Sequence, residues 1–258
     1  MSLVVRTWNV FHGMSSPPDR HSHLRQALEL ATADDPDVVC LQEVPAWALD
    51  RLGAWSGMQV SGAVAKRPLL PREVGRMLTA LNQGLLRSLL VGQANAILLR
   101  NDLRVLAEDE IVLNPPSFRR RIARELGLGR RTRSRWAKER RICHAVRMEG
   151  LTVANLHGSA THDWSVADAE LLRAATFAEA FAEPGDVLVL AGDFNVIREH
   201  SSTYGKLADW GFTKPISWID QVLVRGAPST PAHRWRDERR VLNGKLLSDH
   251  APVEVTIG

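Results

Sequence analysis

Val187-Leu188-Val189-Leu190-Ala191-Gly192-Asp193-Phe194-Asn195 opens with five consecutive apolar residues and closes on a carboxylate and an amide. Apolar side chains at successive rather than alternating positions mark a strand covered on both faces, as in layered α/β folds. The ends of such strands are where these folds gather polar groups from distant parts of the chain. The same pattern recurs outward in both directions. Leu3–Phe11 contains Asn9, Val38–Val44 contains Glu43, Leu151–His157 ends on a histidine, Trp218–Val224 contains Asp220, and Ser248-Asp249-His250 precedes Val253–Ile257.

Three further runs, Ala94–Arg100, Arg104–Leu113 and Arg141–Met148, also read as strands. His23–Ala33, Glu73–Leu90 and Val166–Ala182 carry apolar residues three or four apart and read as helices. Ser165 is the expected N-cap of the third, and Pro184-Gly185 its stop. The polar strand ends are scattered from residue 9 to residue 250, so one site needs both termini. The expectation is one α/β domain over residues 1–258 rather than two. Two segments read as additions to it. Residues 70–90 are amphipathic, with Val74, Leu78, Leu81, Leu85 and Leu89 on one face. Residues 119–141 hold eleven Lys and Arg against Glu125 and Glu139, a local charge of +9 on a chain of +4.

Cys40 and Cys143 lie in apolar runs and read as small buried residues, not as a disulfide framework. No charged-then-apolar leader precedes Leu3-Val4-Val5, so the expected compartment is the cytoplasm. No apolar stretch approaches the roughly 18–20 residues that span a bilayer. Nothing in the sequence encodes an oligomeric state.

The chemistry that fits these polar islands is phosphoester hydrolysis. It needs a nucleophilic water, charge neutralisation on the phosphoryl oxygens and stabilisation of the leaving oxygen. Mg2+ or Mn2+ suits the last two tasks and takes oxygen ligands, for which Glu43 and Asp249 are the natural candidates. Asn9 would add an amide oxygen or orient a ligand. No His-Glu-x-x-His or Cys-x-x-Cys signature for zinc occurs. If the strand continues past Asp193, Asn195 falls on the same face. One of the pair could then handle water while the other donates to a phosphoryl oxygen. His250 cannot easily join Asp249 at one metal, because neighbouring side chains diverge. Paired with a buried carboxylate such as Asp220, it forms a dyad able to donate a hydrogen bond or move a proton at the phosphate.

Thr7-Trp8-Asn9-Val10, Leu41-Gln42-Glu43, Asn155-Leu156-His157, Gly192-Asp193-Phe194-Asn195, Ile219-Asp220 and Ser248-Asp249-His250, in this order, resemble the endonuclease/exonuclease/phosphatase superfamily. That superfamily includes pancreatic-type deoxyribonucleases and abasic-site endonucleases. The resemblance implies a four-layer α/β/β/α sandwich with two mixed β-sheets packed face to face. It also implies Asn9, Glu43 and Asp249 at the metal, Asp193 and Asn195 at the attacking water and transition state, and Asp220 orienting His250. His157 would contact the phosphate or help the leaving group.

Three substrate readings follow. A nuclease would use the basic segment, through Arg119, Arg120, Arg121, Arg130, Arg131, Arg133 and Arg135, as a clamp on phosphates, with Trp136 as a stacking group. A phospholipid-headgroup or small phosphoester hydrolase would turn residues 70–90 toward an anionic membrane. A non-catalytic nucleic-acid-binding module would keep the acids only as structure.

Overall fold

The computed structural model describes residues 2–19, 21–81 and 90–258. Six strands form one sheet in the spatial order β11 (His233–Arg234), β14 (Val253–Ile257), β1 (Leu3–Asn9), β3 (Val38–Val44), β5 (Gln93–Leu99), β4 (Gln59–Lys66). Five form a second, ordered β10 (Asp220–Arg225), β9 (Val187–Asp193), β8 (Leu151–His157), β7 (Ile142–Met148), β6 (Ala107–Val112). A small third sheet joins β12 (Val241–Leu242), β13 (Lys245–Leu247) and β2 (Ser15–Ser16).

The large sheets face each other. Val5, Val38, Cys40 and Ile97 of the first pack against Val146, Val153, Val189 and Val222 of the second. The outer face of the first sheet is covered by α1 (Leu24–Thr32) and α2 (Leu49–Ser56), through Leu24, Leu28 and Leu52 against Trp8, Leu41 and Leu98. The outer face of the second lies under α6 (Trp164–Phe181) and α7 (Thr203–Asp209). In α6, Ala167, Ala174, Ala175 and Ala178 are small enough to bring the helix close to Leu188, Leu190 and Leu156. The result is the expected four-layer sandwich.

Within each large sheet one neighbouring pair is parallel, β1 with β3 and β8 with β9; every other pairing is antiparallel. Each parallel pair is connected through a covering helix, so its two C-terminal ends emerge together, at the same end of the sandwich. Asn9, Glu43, His157 and Asp193 all come from those ends.

Along the inter-sheet face, strand alternation carries apolar residues at one end and polar residues at the other. In β8 the facing positions run Leu151, Val153, Asn155, His157, and in β9 Val187, Val189, Ala191, Asp193. Asn155 is fully buried and ties the sheets together. It donates to the backbone oxygens of Leu41 (3.0 Å) and Ala96 (2.9 Å) and accepts from Gln42 Nε2 (2.8 Å). Gln42 also donates to Thr7 Oγ1 at 2.9 Å. Close approach of β8 and β9 needs glycine at 192, whose φ is +142° and where a Cβ would lie 1.9 Å from the Leu156 oxygen.

Some expectations need correction. The N-cap of α6 is Asp163, whose carboxylate accepts the Ser165 N–H at 3.1 Å; Ser165 is inside the helix. A carboxylate does this better because the free N–H groups there carry partial positive charge. The basic segment holds α4 (Pro116–Glu125) and α5 (Arg130–Trp136). Helix forms because Phe118, Ile122 and Ala123 recur at helical spacing among the arginines and pack with Trp136 on Val166 of α6. Trp136, expected to stack on bases, is 1% exposed and donates its indole N–H to Glu170 at 2.6 Å. In 70–90, α3 covers Arg72–Leu81 and buries Gly75 and Thr79, whereas Val74 and Met77 are exposed. Its hydroxyl-bearing buried face docks through Trp47 Nε1 to Thr79 Oγ1 at 3.0 Å. Leu85 and Leu89 lie outside the described residues. Among those that are described, no helix is long and apolar enough to cross a membrane.

Replacing Asn155 by Ala should remove the side-chain donors to the Leu41 and Ala96 oxygens and one of the acceptors of the Gln42 amide, which keeps Thr7 Oγ1. At about 1–3 kcal/mol for each buried oxygen that loses its donor, unfolding free energy should fall by about 2 kcal/mol or more. Urea denaturation reads this as a lower midpoint with an unchanged slope.

Candidate active site

Regular alternation would aim Glu43 at the helices, the side on which Val39 and Leu41 lie. Instead β3 carries a bulge against β5: Leu41 pairs with Ala96 and Val44 with Ala94, one residue more on β3 than on its partner. Glu43 takes the extra place with φ +55°. The bulge turns its carboxylate toward the polar end of the inter-sheet layer and returns Val44 to the core. His12, also at positive φ, places Nε2 3.6 Å from Glu43, and His157 Nε2 is 3.8 Å from its other oxygen.

Asp193 lies opposite His157 on β8 and opposite Asp220 on β10 in strand register. Asn9 Nδ2 donates to Asp193 Oδ2 at 3.1 Å, while Asn9 Oδ1 accepts the Phe11 N–H at 3.0 Å. Of the two tasks expected of Asn9, this is the geometry of an orienting group, and what it orients is Asp193. The strand stops at Asp193, so Asn195 does not share its face by continuation. Asn195 turns at φ +50°, its N–H caps Asp193 Oδ1 at 3.1 Å, and its amide donates to Gly158 O at 3.1 Å. Burial is the largest influence on the Asp193 carboxyl and holds it above the usual range; the nearby His250 charge partly offsets this.

His250 and Asp220 form the expected dyad. His250 Nδ1 is 2.9 Å and 3.0 Å from the two Asp220 oxygens. Asp220 is fully buried and also accepts the Trp218 indole N–H at 2.9 Å. Burial alone would lower the His250 pKa, but the Asp193 and Asp220 carboxylates overcome it and push it up to about 10. His250 is therefore an imidazolium at neutral pH. It is a hydrogen-bond donor rather than a proton acceptor, with Nε2 3.9 Å from Asp193. The tripeptide is held by the Ser248 hydroxyl on Asn9 O (2.7 Å), Trp8 Nε1 on His250 O (2.9 Å) and Arg240 on Ser248 O (2.7 Å).

His157 is 3% exposed, beneath Glu43 and Asp193. Burial chiefly, and the charges of Arg141 and His250, drive its pKa well below the ordinary value. Gln93 Nε2 lies 2.9 Å from Nδ1, Arg141 lies 3.0 Å from Nδ1 and 3.1 Å from Nε2, and Nε2 is 3.5 Å from Asp193 Oδ2. Arg141 is a site residue that the motifs do not reveal. In the sequence it is one more charge of the basic run, although a buried cation at a strand start beside a polar strand end is itself a signal. Gln93 and Trp218 carry no such signal.

The tightest His and Asp group among the described residues is Asp193, Asp220 and His250, with ligand-type atoms within 4.8 Å of one another. Asp220 is committed to His250 and Trp218, so a hydrogen-bonded dyad describes this group better than a metal cage. Glu43 and Asp249 suit a hard cation better. Neither has an Arg or Lys ion-pair partner among the described residues, and burial first, then the Asp249 charge, raises the Glu43 pKa against the Arg141 and His250 charges.

The phosphate-clamp residues Arg119, Arg120, Arg121, Arg130, Arg131, Arg133 and Arg135 keep their place on α4 and α5. All but the half-buried Arg119 are exposed. They do not gather in one place: Arg131 and Arg135 line a cleft that reaches Glu43, while Arg119, Arg120 and Arg133 line another beyond Trp136.

The model of the Endonuclease/Exonuclease/phosphatase family matches residues 7–250. No curated protein matches the chain. Among solved structures, an endonuclease/exonuclease/phosphatase from Beutenbergia cavernae is 20% identical at TM-score 0.65, covering 99% of this chain and 71% of that one. Truncated TDP2 from Caenorhabditis elegans is 16% identical at TM-score 0.62, covering 100% and 97%. A mannosyl-6-phosphatase from Bacteroides thetaiotaomicron is 15% identical at TM-score 0.61, covering 99% of each.

A histidine held above its unfolded-state pKa of 6.5 stabilises the fold fully below that pH and ceases to as pH rises through about 10. Thermal unfolding in chelator should show the metal-free protein losing several degrees of Tm from neutral pH to about 10. His250→Gln should flatten that slope.

Proposed function

We propose that this chain, which belongs to the endonuclease/exonuclease/phosphatase family, is a divalent-metal-dependent hydrolase of phosphoester bonds whose substrate is nucleic acid. The observation that carries the hydrolase reading is the juxtaposition of Asp193 with the His250–Asp220 dyad beside the carboxylates Glu43 and Asp249, neither of which pairs with an Arg or Lys among the described residues. Glu43 and Asp249 would hold Mg2+ or Mn2+, which when bound neutralises the phosphoryl oxygens and stabilises the leaving oxygen.

The protein's own groups divide the remaining work. Asp193, held by Asn9 and the Asn195 N–H, takes the proton of the attacking water; its raised pKa suits a base at neutral pH. His250 donates its Nε2–H to a phosphoryl oxygen, with Asp220 fixing the ring. Asn195 has a second amide hydrogen for the same charge. His157, with Nε2 3.5 Å from Asp193 and 3.8 Å from Glu43, acts as a positioning residue, its neutral ring aligning both. Water attacks directly, so no covalent enzyme intermediate forms.

Nucleic acid is favoured as substrate by the +9 segment, part of which lines the cleft ending at Glu43. A phospholipid-headgroup hydrolase is the second reading, favoured by the exposed Leu69, Val74 and Met77 at α3.

Supercoiled plasmid, single-stranded DNA, RNA and anionic phospholipid vesicles, each with Mg2+, Mn2+ or chelator, separate the two. Metal-dependent cleavage of a nucleic acid is expected, weakening steeply with salt. Asp193→Ala should lower turnover about 10³-fold, within the range for loss of a general base. Turnover that survives chelator or this substitution would overturn the mechanism. Phosphate release from vesicles with inert nucleic acids would transfer the site to lipid.

A further inference from the structure

Among the eleven cations of residues 119–141, two groups lie on either side of the buried Trp136. On one side, Arg119, Arg120, Arg124 and Arg133 border a cavity that touches no residue of the active site. On the other lies a cleft of about 630 Å³ between α5 and the turn that follows β8. Arg131, Arg135 and Lys138 form one wall, Ser159 and Thr161 the other, and Glu43 and Arg141 stand at its inner end.

Neither the cations of this wall nor those of the other cavity pair with a carboxylate among the described residues; what sets this wall apart is that its cleft reaches Glu43. Arg121 pairs with Glu125, Arg140 with Glu110, and Arg141 with Glu139. Arg131, Arg135 and Lys138 have no carboxylate at ion-pair distance among the described residues; Arg135 meets only His162 Nε2, at 3.0 Å. Three unneutralised cations on about two helical turns repel one another, and an anion between the walls would relieve that.

Both walls are tied to one carboxylate. Glu170 of α6, itself fully buried, accepts from Trp136 Nε1 on the α5 side at 2.6 Å. It also accepts from the Ser159 N–H at 2.7 Å and the Ser159 hydroxyl at 2.8 Å on the other. A flexible basic face would have no such tether. The spacing of this cleft is built into the fold, which lowers the ordering cost of binding.

We propose that this cleft is a subsite for a second phosphate of the substrate, displaced along a polyphosphorylated chain from the one at Glu43. It rests on the hydrolase reading for the identity of the scissile group, and it makes Arg131, Arg135 and Lys138, not the cations of the other cavity, the recognition element. A substrate carrying a single phosphate leaves the subsite unused.

Two triple variants that remove equal charge test this: Arg131→Ala/Arg135→Ala/Lys138→Ala, and Arg119→Ala/Arg120→Ala/Arg124→Ala. Fluorescence anisotropy with a labelled 12-nucleotide single-stranded DNA, in chelator so that nothing is cleaved, reads binding to each full-length protein. The first variant should weaken Kd at least about tenfold and lower the slope of log K against log salt by about 0.7, because one fewer phosphate of a single strand is neutralised. The second should change Kd less than about twofold. Equal losses in the two variants, or none in the first, would overturn the subsite. Hydrolysis of bis(p-nitrophenyl) phosphate by the unaltered protein and by Asp193→Ala tests the hydrolase reading separately. If that hydrolysis fails, the difference in DNA binding between the two triples still decides the cleft.

Discussion

Two apolar sheets stacked face to face can hold polar groups between them only if each finds a partner, since a stranded one costs about 1–3 kcal/mol. Asn155 and Gln42 meet that demand. Their amides bridge the β8 strand of one sheet to backbone oxygens and Thr7 of the other, and they convert an oily interface into a hydrogen-bonded one. The position of that bridge decides where apolar packing ends and chemistry begins. Below it lie Val153 and Val189; above it stand His157 and Asp193. Without the bridge, the polar strand ends would have no reason to remain at a fixed separation.

Above the bridge the site is an exercise in charge balance. Glu43 and Asp193 are brought together in poorly solvated surroundings, which favours their neutral forms. His250 counters Asp193 and Asp220 and is held as a cation by them, while the Arg141 charge bears on Glu43. His157, kept from water by burial and set beside the Arg141 charge, is held neutral. Two histidines a few ångströms from the same aspartate thus hold opposite protonation states. The difference comes from what lies behind each ring: a buried carboxylate behind His250, a guanidinium and an amide behind His157.

Much of this is legible in the chain. Val38–Val44, Leu151–His157 and Val253–Ile257 are strands over the stretches their apolar runs mark, because burial on both faces leaves a dense signal. β4 leaves little signal, since Gly62, Ala63 and Ala65 serve an edge strand where small residues suffice. The helices of the basic segment are hidden because arginine is their commonest residue, and only Phe118, Ile122, Ala123 and Trp136 are buried in them. At the site, residue types announce Asp193, Asp220 and His250. The direction of a side chain does not show. Trp136 reads as a stacking group and is a buried hydrogen-bond donor, and Arg141 reads as one more surface charge.

The bulge at Glu43 has an evolutionary reading. Whether that carboxylate faces the chemistry or the helices depends on the parity of a residue count, three steps on β3 against two on β5. Side-chain identity around it can drift as long as volume is kept, as with most core positions. Length cannot. Losing one residue between Leu41 and Val44 would restore even alternation and leave one inward place for Gln42 and Glu43 together, so either the bridging amide or the acid would go. Lineages carrying this site would therefore diverge freely in the letters of this strand while its spacing stays frozen.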